Sequence, residues 1–362
     1  MIVNITPNIV EYMQKSKKIF RRRKKISQNL FMRRALSLAS LGLRKTSPNP
    51  MVGCVIVKEN RIIGEGWHKC YGHSHAEIEA INDALTHNES VKGSTFYVTL
   101  EPCSHYGKTP PCANRLVEEG VSEVIIAMRD PNPKVNGHGI EILRNAGIRV
   151  IESDSESKRE AENLNRGFIF VHKYHRPFIT LKAAMSLDGR LCLPNGNSKW
   201  ITGIMSRTYA HKLRAENDAV LVGVNTVLKD DPELTVRNVK GINPIRVVLD
   251  RHNRTPLNAK VRECMILKHE DLHEAMKYLA EQGILTLMVE GGAEVLSSFL
   301  REGLADYVNL FYSPRILGDG KNINMNVDFE SVRDSLKLKN VKYTQLGEDI
   351  MIEGRLSCSP DL

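Results

Sequence analysis

Thr95-Phe96-Tyr97-Val98-Thr99-Leu100-Glu101-Pro102-Cys103 is an aromatic and β-branched run that ends on a thiol. Its first six residues read as a strand. Upstream, His75-Ala76-Glu77 opens a helical stretch over 75–87, and downstream Pro110-Pro111-Cys112 opens another, proline being tolerated at a helix's first position. The same alternation surrounds this segment. Val52 to Val57 reads as a buried strand with Arg61 to Gly66 as its hairpin partner. Val124 to Met128 and Ile148 to Ile151 read as strands, and His138 to Asn145 as a short helix ended by Gly147. Ahead of them Leu30, Leu36, Leu38, Ala39 and Leu41 form a helical apolar face, and Ser47-Pro48-Asn49-Pro50 breaks the chain. Strands alternating with helices predict a three-layer α/β sandwich. The imidazole and both thiols then fall at strand-to-helix junctions, where helix dipoles favour thiolate.

One imidazole and two thiolates suit zinc, and three protein ligands leave the fourth tetrahedral position for water. Bound zinc lowers the pKa of that water to roughly 7. Glu77, two residues beyond His75, is then free to move protons. A lone His-x-Glu is usually just a helix start, and a lone cysteine pair usually buried thiols. In this order, His75, Glu77, Cys103 and Cys112 resemble the signature of zinc nucleobase deaminases. One departure is visible. The usual signature closes with Pro-Cys-x-x-Cys, whereas eight residues, Ser104 to Pro111, separate Cys103 from Cys112. That polar insertion carries Lys108 and reads as a substrate loop.

The 362 residues allow two domains, and 41% hydrophobic with 26% charged content is that of a globular chain. No apolar run approaches the roughly 20 residues of a membrane helix, and no N-terminal apolar core with a cleavage site indicates secretion. Seven scattered cysteines form no disulfide framework, which fits a reducing, cytoplasmic compartment. The net charge of +9 is concentrated in residues 1–30, which hold +7. This basic tail, 1–28, is expected to be disordered. It fits a transit peptide, a nucleic-acid or lipid contact, or an upstream start with Met32 as the true beginning.

Residues 152–176 are charged and helical and read as a linker between a first domain at 29–151 and a second at 177–362. In the second, Phe178 to Ala183, Val220 to Val222, Ile245 to Leu249, Leu285 to Val289 and Asp306 to Tyr312 read as strands, followed by two more. Val289-Glu290-Gly291-Gly292-Ala293-Glu294-Val295 reads as strand, glycine turn and helix, and a helix N-terminus favours phosphate. A glycine pair alone is more often turn geometry. Lys182, Ser186, Asp188-Gly189-Arg190, Ser198 to Thr202, Arg214 and Asp230 to Arg237 supply polar groups on separate loops and helices.

Taken together, the chain resembles the bifunctional deaminase–reductases of riboflavin biosynthesis. In the first half the resemblance rests on Pro48 to Cys54, His75-Ala76-Glu77, Thr99 to Cys112 and Asp130-Pro131-Asn132-Pro133. In the second it rests on Lys182 to Arg190, Trp200-Ile201-Thr202, Leu213-Arg214-Ala215, Asp230 to Arg237 and Val289 to Gly292. It implies a cytidine-deaminase-like domain followed by a dihydrofolate-reductase-like α/β domain. It also implies two reactions: a pyrimidine nucleotide loses its ring amino group, then NADPH reduces its ribose to a ribityl chain. By position, His75, Cys103 and Cys112 would bind zinc, Glu77 would transfer protons, and Asn49, His68 and Lys108 would contact the first substrate. Ala184, Trp200, Thr226, Asp230, Gly292, Ala293, Glu294, Val295, Leu296, Ser297 and Ser298 would face NADPH. Ser198, Arg214, Leu234, Arg237 and Glu290 would contact the sugar phosphate. The implied assembly is a homodimer acting on small molecules, with neither nucleic acid nor membrane as partner.

Two departures bear on the second activity. Arg251 follows Asp250 where the family usually has Ser or Thr, and only some 20 residues separate Asp250 from the helix near Leu272. The family normally fits a further strand–helix–strand there, so a deaminase with an impaired or structural second domain is the alternative. An RNA deaminase using the basic tail is an alternative of another class; its binding would weaken steeply with salt.

Overall fold

Alternation within β3 (Thr95–Leu100) sends Phe96 and Val98 to one face of a sheet and Tyr97 to the other, as the two-residue period of a strand requires. The computed structural model describes residues 29–104, 110–133, 135–261, 263–327 and 329–362. The basic tail and Lys108 lie outside them. Around β3 the five strands β1 (Gly53–Lys58), β2 (Arg61–Trp67), β3, β4 (Glu123–Met128) and β5 (Arg149–Glu152) form one sheet in the order β2-β1-β3-β4-β5. The β1–β2 and β1–β3 pairs are antiparallel, while β3–β4 and β4–β5 are parallel.

One face of this sheet carries α2 (Ala76–Thr86), α3 (Cys112–Glu118) and α4 (His138–Asn145). Ala80, Ile81, Leu116 and Leu143 are buried there against Ile56, Phe96, Val98 and Ile126. The other face carries α1 (29–40), whose Phe31 ring lies 5.3 Å from that of Tyr97. Three layers result.

The expected single linker helix is two helices, α5 (Ser155–Leu164) and α6 (Arg166–Tyr174). Asn165 breaks them, because its side chain donates to the Met51 carbonyl and accepts from the Met51 N–H, at 2.9 and 2.8 Å. The chain divides there into a unit ending at Asn165 and one beginning at Arg166.

The second unit is an eight-stranded sheet in the order β12-β13-β11-β6-β10-β7-β8-β9. Its strands are β6 (Phe178–Ser186), β7 (Ala219–Gly223), β8 (Ile245–Leu249), β9 (Met265–Leu267), β10 (Thr286–Val289), β11 (Tyr307–Ser313), β12 (Leu338–Leu346) and β13 (Asp349–Leu356). From β11 to β9 the neighbours are parallel, and β7 is buried throughout, as a parallel strand covered on both faces should be. Helices α7 (Ile204–Glu216) and α8 (Val224–Asp230) cover one face through Leu213, Val224 and Val227. Helices α9 (Leu272–Glu281) and α10 (Ala293–Arg301) cover the other through Met276, Leu279, Leu296 and Phe299. The short connection after Asp250 still supplies an edge strand, β9, whose Met265 pairs with Val247; no helix forms between β8 and β9 among the described residues. Also among the described residues, no helix is long and apolar enough to cross a membrane.

Candidate functional sites: a metal centre and a nucleotide cavity

His75 is the N-cap of α2, Cys112 the first residue of α3, and Cys103 lies just beyond β3. The fold brings the three together. His75 Nδ1 lies 3.2 Å from Cys112 Sγ and 3.5 Å from Cys103 Sγ, and one donor atom from each residue lies within 4.8 Å of the others. Metal–sulfur bonds of ~2.3 Å and metal–nitrogen bonds of ~2.0 Å at the tetrahedral angle need an N–S separation of roughly 3.5 Å. The donor set therefore fits zinc in type and spacing. The Cys112 N–H also donates to Cys103 Sγ at 3.3 Å, a bond that favours thiolate.

Glu77, in the first turn of α2, is 3% exposed. Burial raises its carboxyl to about 7, with His75 opposing the rise. A group that exchanges its proton near neutrality suits acid–base work. Asn49 and His68 adjoin the centre. His68 Nε2 is 3.3 Å from Asn49 Nδ2, its Nδ1 is 3.1 Å from the Ser74 carbonyl, and its ring lies 5.7 Å from that of His75. Burial lowers the His68 pKa, which keeps the ring neutral. With Nδ1 donating to Ser74, Nε2 accepts from Asn49.

Glu101 has a part that the sequence reading did not assign. Its carboxylate accepts from the N–H groups of Asp130, Gly137, Gly139 and Ile140, at 3.0 to 3.3 Å. It thereby pins the 130–140 segment behind Pro102-Cys103. The one available signal was an acid inside the Leu-Glu-Pro-Cys run.

The second unit holds a cavity of about 1100 Å³ along the C-terminal ends of its parallel strands, where ligands of open α/β sheets bind. Ala184, Trp200, Thr226, Asp230, Gly292, Ala293, Glu294, Val295 and Ser298 line it, as do Ser198, Arg214, Arg237 and Glu290. Three expected contacts do not. Leu296 is fully buried in the core against Phe299, because every third or fourth residue of an amphipathic helix must face inward. Ser297 is 5% exposed and its hydroxyl donates to the Ala293 carbonyl. Leu234 is 3% exposed and packs with Val222 and Val227.

Glu290 and Arg214 form a buried two-pronged ion pair, Nε to Oε1 at 2.5 Å and Nη2 to Oε2 at 2.9 Å. Lys182 Nζ stands 3.8 Å from Glu290 Oε2. Burial pushes the Glu290 carboxyl up, but Arg214 and then Lys182 outweigh it and hold the group at about 2. Lys182, Arg207, His211, Arg251 and Arg254 also line the cavity and were absent from the expected contacts. At the glycine turn, a Cβ on Gly291 would lie 2.5 Å from the Val295 Cβ, so that glycine serves packing. Gly292 has room, and with the α10 N-terminus behind it offers the phosphate-type seat.

The molecule is thus a zinc-type deaminase unit joined to a nucleotide-binding reductase unit. The family described as the zinc-binding region of cytidine and deoxycytidylate deaminases matches residues 25–128, and the RibD C-terminal domain matches residues 177–352. The riboflavin biosynthesis protein RibD of Aquifex aeolicus is 44% identical, over 89% of this chain and 96% of that one; that of Escherichia coli K12 is 38% identical, over 89% and 97%. Two solved structures superpose with TM-scores of 0.84 at 39% identity over 92% of this chain and 99% of each: Acinetobacter baumannii RibD, and a diaminohydroxyphosphoribosylaminopyrimidine deaminase/5-amino-6-(5-phosphoribosylamino)uracil reductase from Thermotoga maritima. The chain belongs to the RibD family of riboflavin biosynthesis proteins. None of these relatives favours a nucleic-acid deaminase or a purely structural second unit.

Proposed function

We propose that this RibD-family chain performs two consecutive reactions, each in its own unit: hydrolytic deamination of a diamino-ribosylamino-pyrimidinone 5′-phosphate, then NADPH-dependent reduction of its ribose to a ribityl chain. The observation that carries the first is the His75–Cys103–Cys112 triangle with buried Glu77 beside it. Zinc held there supplies a water of lowered pKa. Glu77 would take the attacking water's two protons in turn, passing the first to the ring nitrogen and the second to the departing amine. Asn49 and neutral His68 orient the ring through hydrogen bonds.

In the second unit, Gly292 and the α10 N-terminus would seat the cofactor's phosphates near Thr226, and Trp200 would face the cofactor. Glu290 and Lys182 face the sugar. Arg214 is engaged by Glu290 on two nitrogens, so it positions that carboxylate, while Ser198 and exposed Arg237, whose guanidinium also pairs with Glu233, would meet the sugar phosphate. The intact β9 edge beside an open cavity supports an active reductase despite the short connection. Free cysteines throughout the described residues support a reducing, cytoplasmic setting. Exposed Tyr343 and Ile350 on the outer hairpin support the implied homodimer, which light scattering checks. The test is to incubate pure protein with the pyrimidine nucleotide. Ammonia should appear first, followed by loss of NADPH absorbance; deamination without NADPH oxidation would refute the second half.

A further inference from the structure

The cavity wall formed by α7 begins at a helix start that has no cap of its own. A helix leaves its first N–H groups without partners, and the N-cap of α7 is Gly203, which has no side chain to accept from them. The acceptor comes from the other end of the chain. Asp349, at the turn between β12 and β13, is 3% exposed, and its Oδ2 accepts from the Gly203 N–H at 2.7 Å and from the Ser206 hydroxyl at 2.5 Å. Gly203 and Asp349 lie 146 positions apart. A carboxylate suits that place because the partial positive charge of a helix start offsets its own.

Three observations tie this contact to the cavity. First, Trp200, Ile201, Thr202, Ser206 and Arg207 line the cavity, whereas Asp349 does not. Second, Arg207 joins the helix start to the segment before it. Its Nη1 donates to the Thr202 carbonyl at 2.6 Å, and its guanidinium lies 4.5 Å from the centre of the Trp200 ring. Residues 193–203 form neither helix nor strand, so the place of Trp200, which is 67% exposed, depends on such side-chain ties. Third, α7 is anchored elsewhere by apolar packing: Leu213 is buried in one cluster with Phe311, Leu346 and Met351. The helix therefore stays on the sheet without Asp349, and what the carboxylate adds is the placement of the first turn.

We propose that Asp349 is a positioning residue of the reductase: through Gly203, Ser206 and Arg207 it holds Trp200 in the place where that ring faces the cofactor, without touching a ligand itself. The inference rests on the reductase reading above. It makes the β12–β13 turn, at the opposite edge of the sheet from β9, a determinant of cofactor affinity.

The test uses the full-length protein in a Trp67→Phe background, which leaves Trp200 as the single indole of the two in the sequence. Calorimetry measures NADPH affinity, and fluorescence anisotropy below the unfolding transition measures the mobility of Trp200. Asp349→Ala should weaken NADPH binding roughly tenfold, the scale of one hydrogen bond to a charged group, and lower the Trp200 anisotropy. Asp349→Asn keeps an acceptor that caps helices as well as aspartate does, and should recover most of both. Ser206→Ala removes one of the two donors; it should fall between the parent and Asp349→Ala, and add nothing to Asp349→Ala in the double variant. An Asp349→Ala protein that loses only Tm, with NADPH affinity and Trp200 anisotropy at the parent values, overturns the proposal, as does an asparagine variant no better than alanine. Should Asp349→Ala fail to fold, Ser206→Ala decides: parent affinity and anisotropy there overturn the proposal. A parent that binds no NADPH overturns the reductase reading instead.

Discussion

Replacing Glu290 with Gln should destabilise the second unit by about 3 kcal/mol at neutral pH. The carboxyl is held at about 2 rather than its ordinary 4.5. At about 1.36 kcal/mol per decade, this corresponds to roughly 3 kcal/mol favouring the charged, ion-paired form. An independent route gives the same size: removing one partner of a buried pair costs about 3–5 kcal/mol, because the other charge stays buried and unmatched. Here two cations are left, Arg214 and Lys182, with side chains 13% and 17% exposed. For a unit of this size, such a loss lowers Tm by roughly 6–12 °C. Scanning calorimetry of the full chain measures it, and the second unit's transition is the one that NADPH shifts upward. Acid gives a further check. Because the folded-state pKa is depressed, the contribution is complete above the unfolded value near 4.5 and fades as pH falls toward 2. The parent and variant Tm values should converge over that window. Equal Tm values at pH 7, or a gap that persists at pH 2, would show that Glu290 is not held as an ion-paired carboxylate.

The first unit yields three further predictions. Glu77→Gln should lower ammonia release by roughly 10²–10⁴-fold with zinc content intact by elemental analysis; loss of the metal would make Glu77 a ligand instead. Cys112→Ser should abolish both zinc retention and deamination, while NADPH affinity stays at the parent value because that cavity belongs to the other unit. In Gly66→Ala, the new Cβ would meet the Ala80 nitrogen at 2.3 Å and the Ala76 oxygen at 2.4 Å. Helix α2 must then move off the sheet, at a cost of roughly 1–3 kcal/mol. Because His75 and Glu77 ride on α2, the variant should lose zinc to a chelator faster than the parent, and an unchanged rate would refute the link.

The metal centre was legible in the chain because each donor sits at a boundary that local pattern marks: the start of a helix for His75, a Pro-Cys step shortly beyond a strand for Cys103, and the residue after a proline for Cys112. Order and residue type sufficed there, since a zinc site needs three specific donors and the strand–helix alternation delivers them to one sheet end. The cavity of the second unit was only partly legible. Its glycine turn and arginines could be noted one by one, but which of them converge depends on strand order. Arg214 and Glu290 lie 76 residues apart and meet because α7 packs across β10's end. Periodicity within α10 could have removed Leu296 from the expected contacts, since a helix face that packs on a sheet cannot also face a ligand. The strand β9, three residues long, carries too little pattern to be seen without its partner β8. By itself the sequence determined most of the elements and the candidate set of His75, Glu77, Cys103 and Cys112, all set by neighbours along the chain. Tertiary structure alone decided the pairing of Glu290 with Arg214 and the reach of Asp349 to the start of α7, because burial and long-range contact determine which group meets a charge.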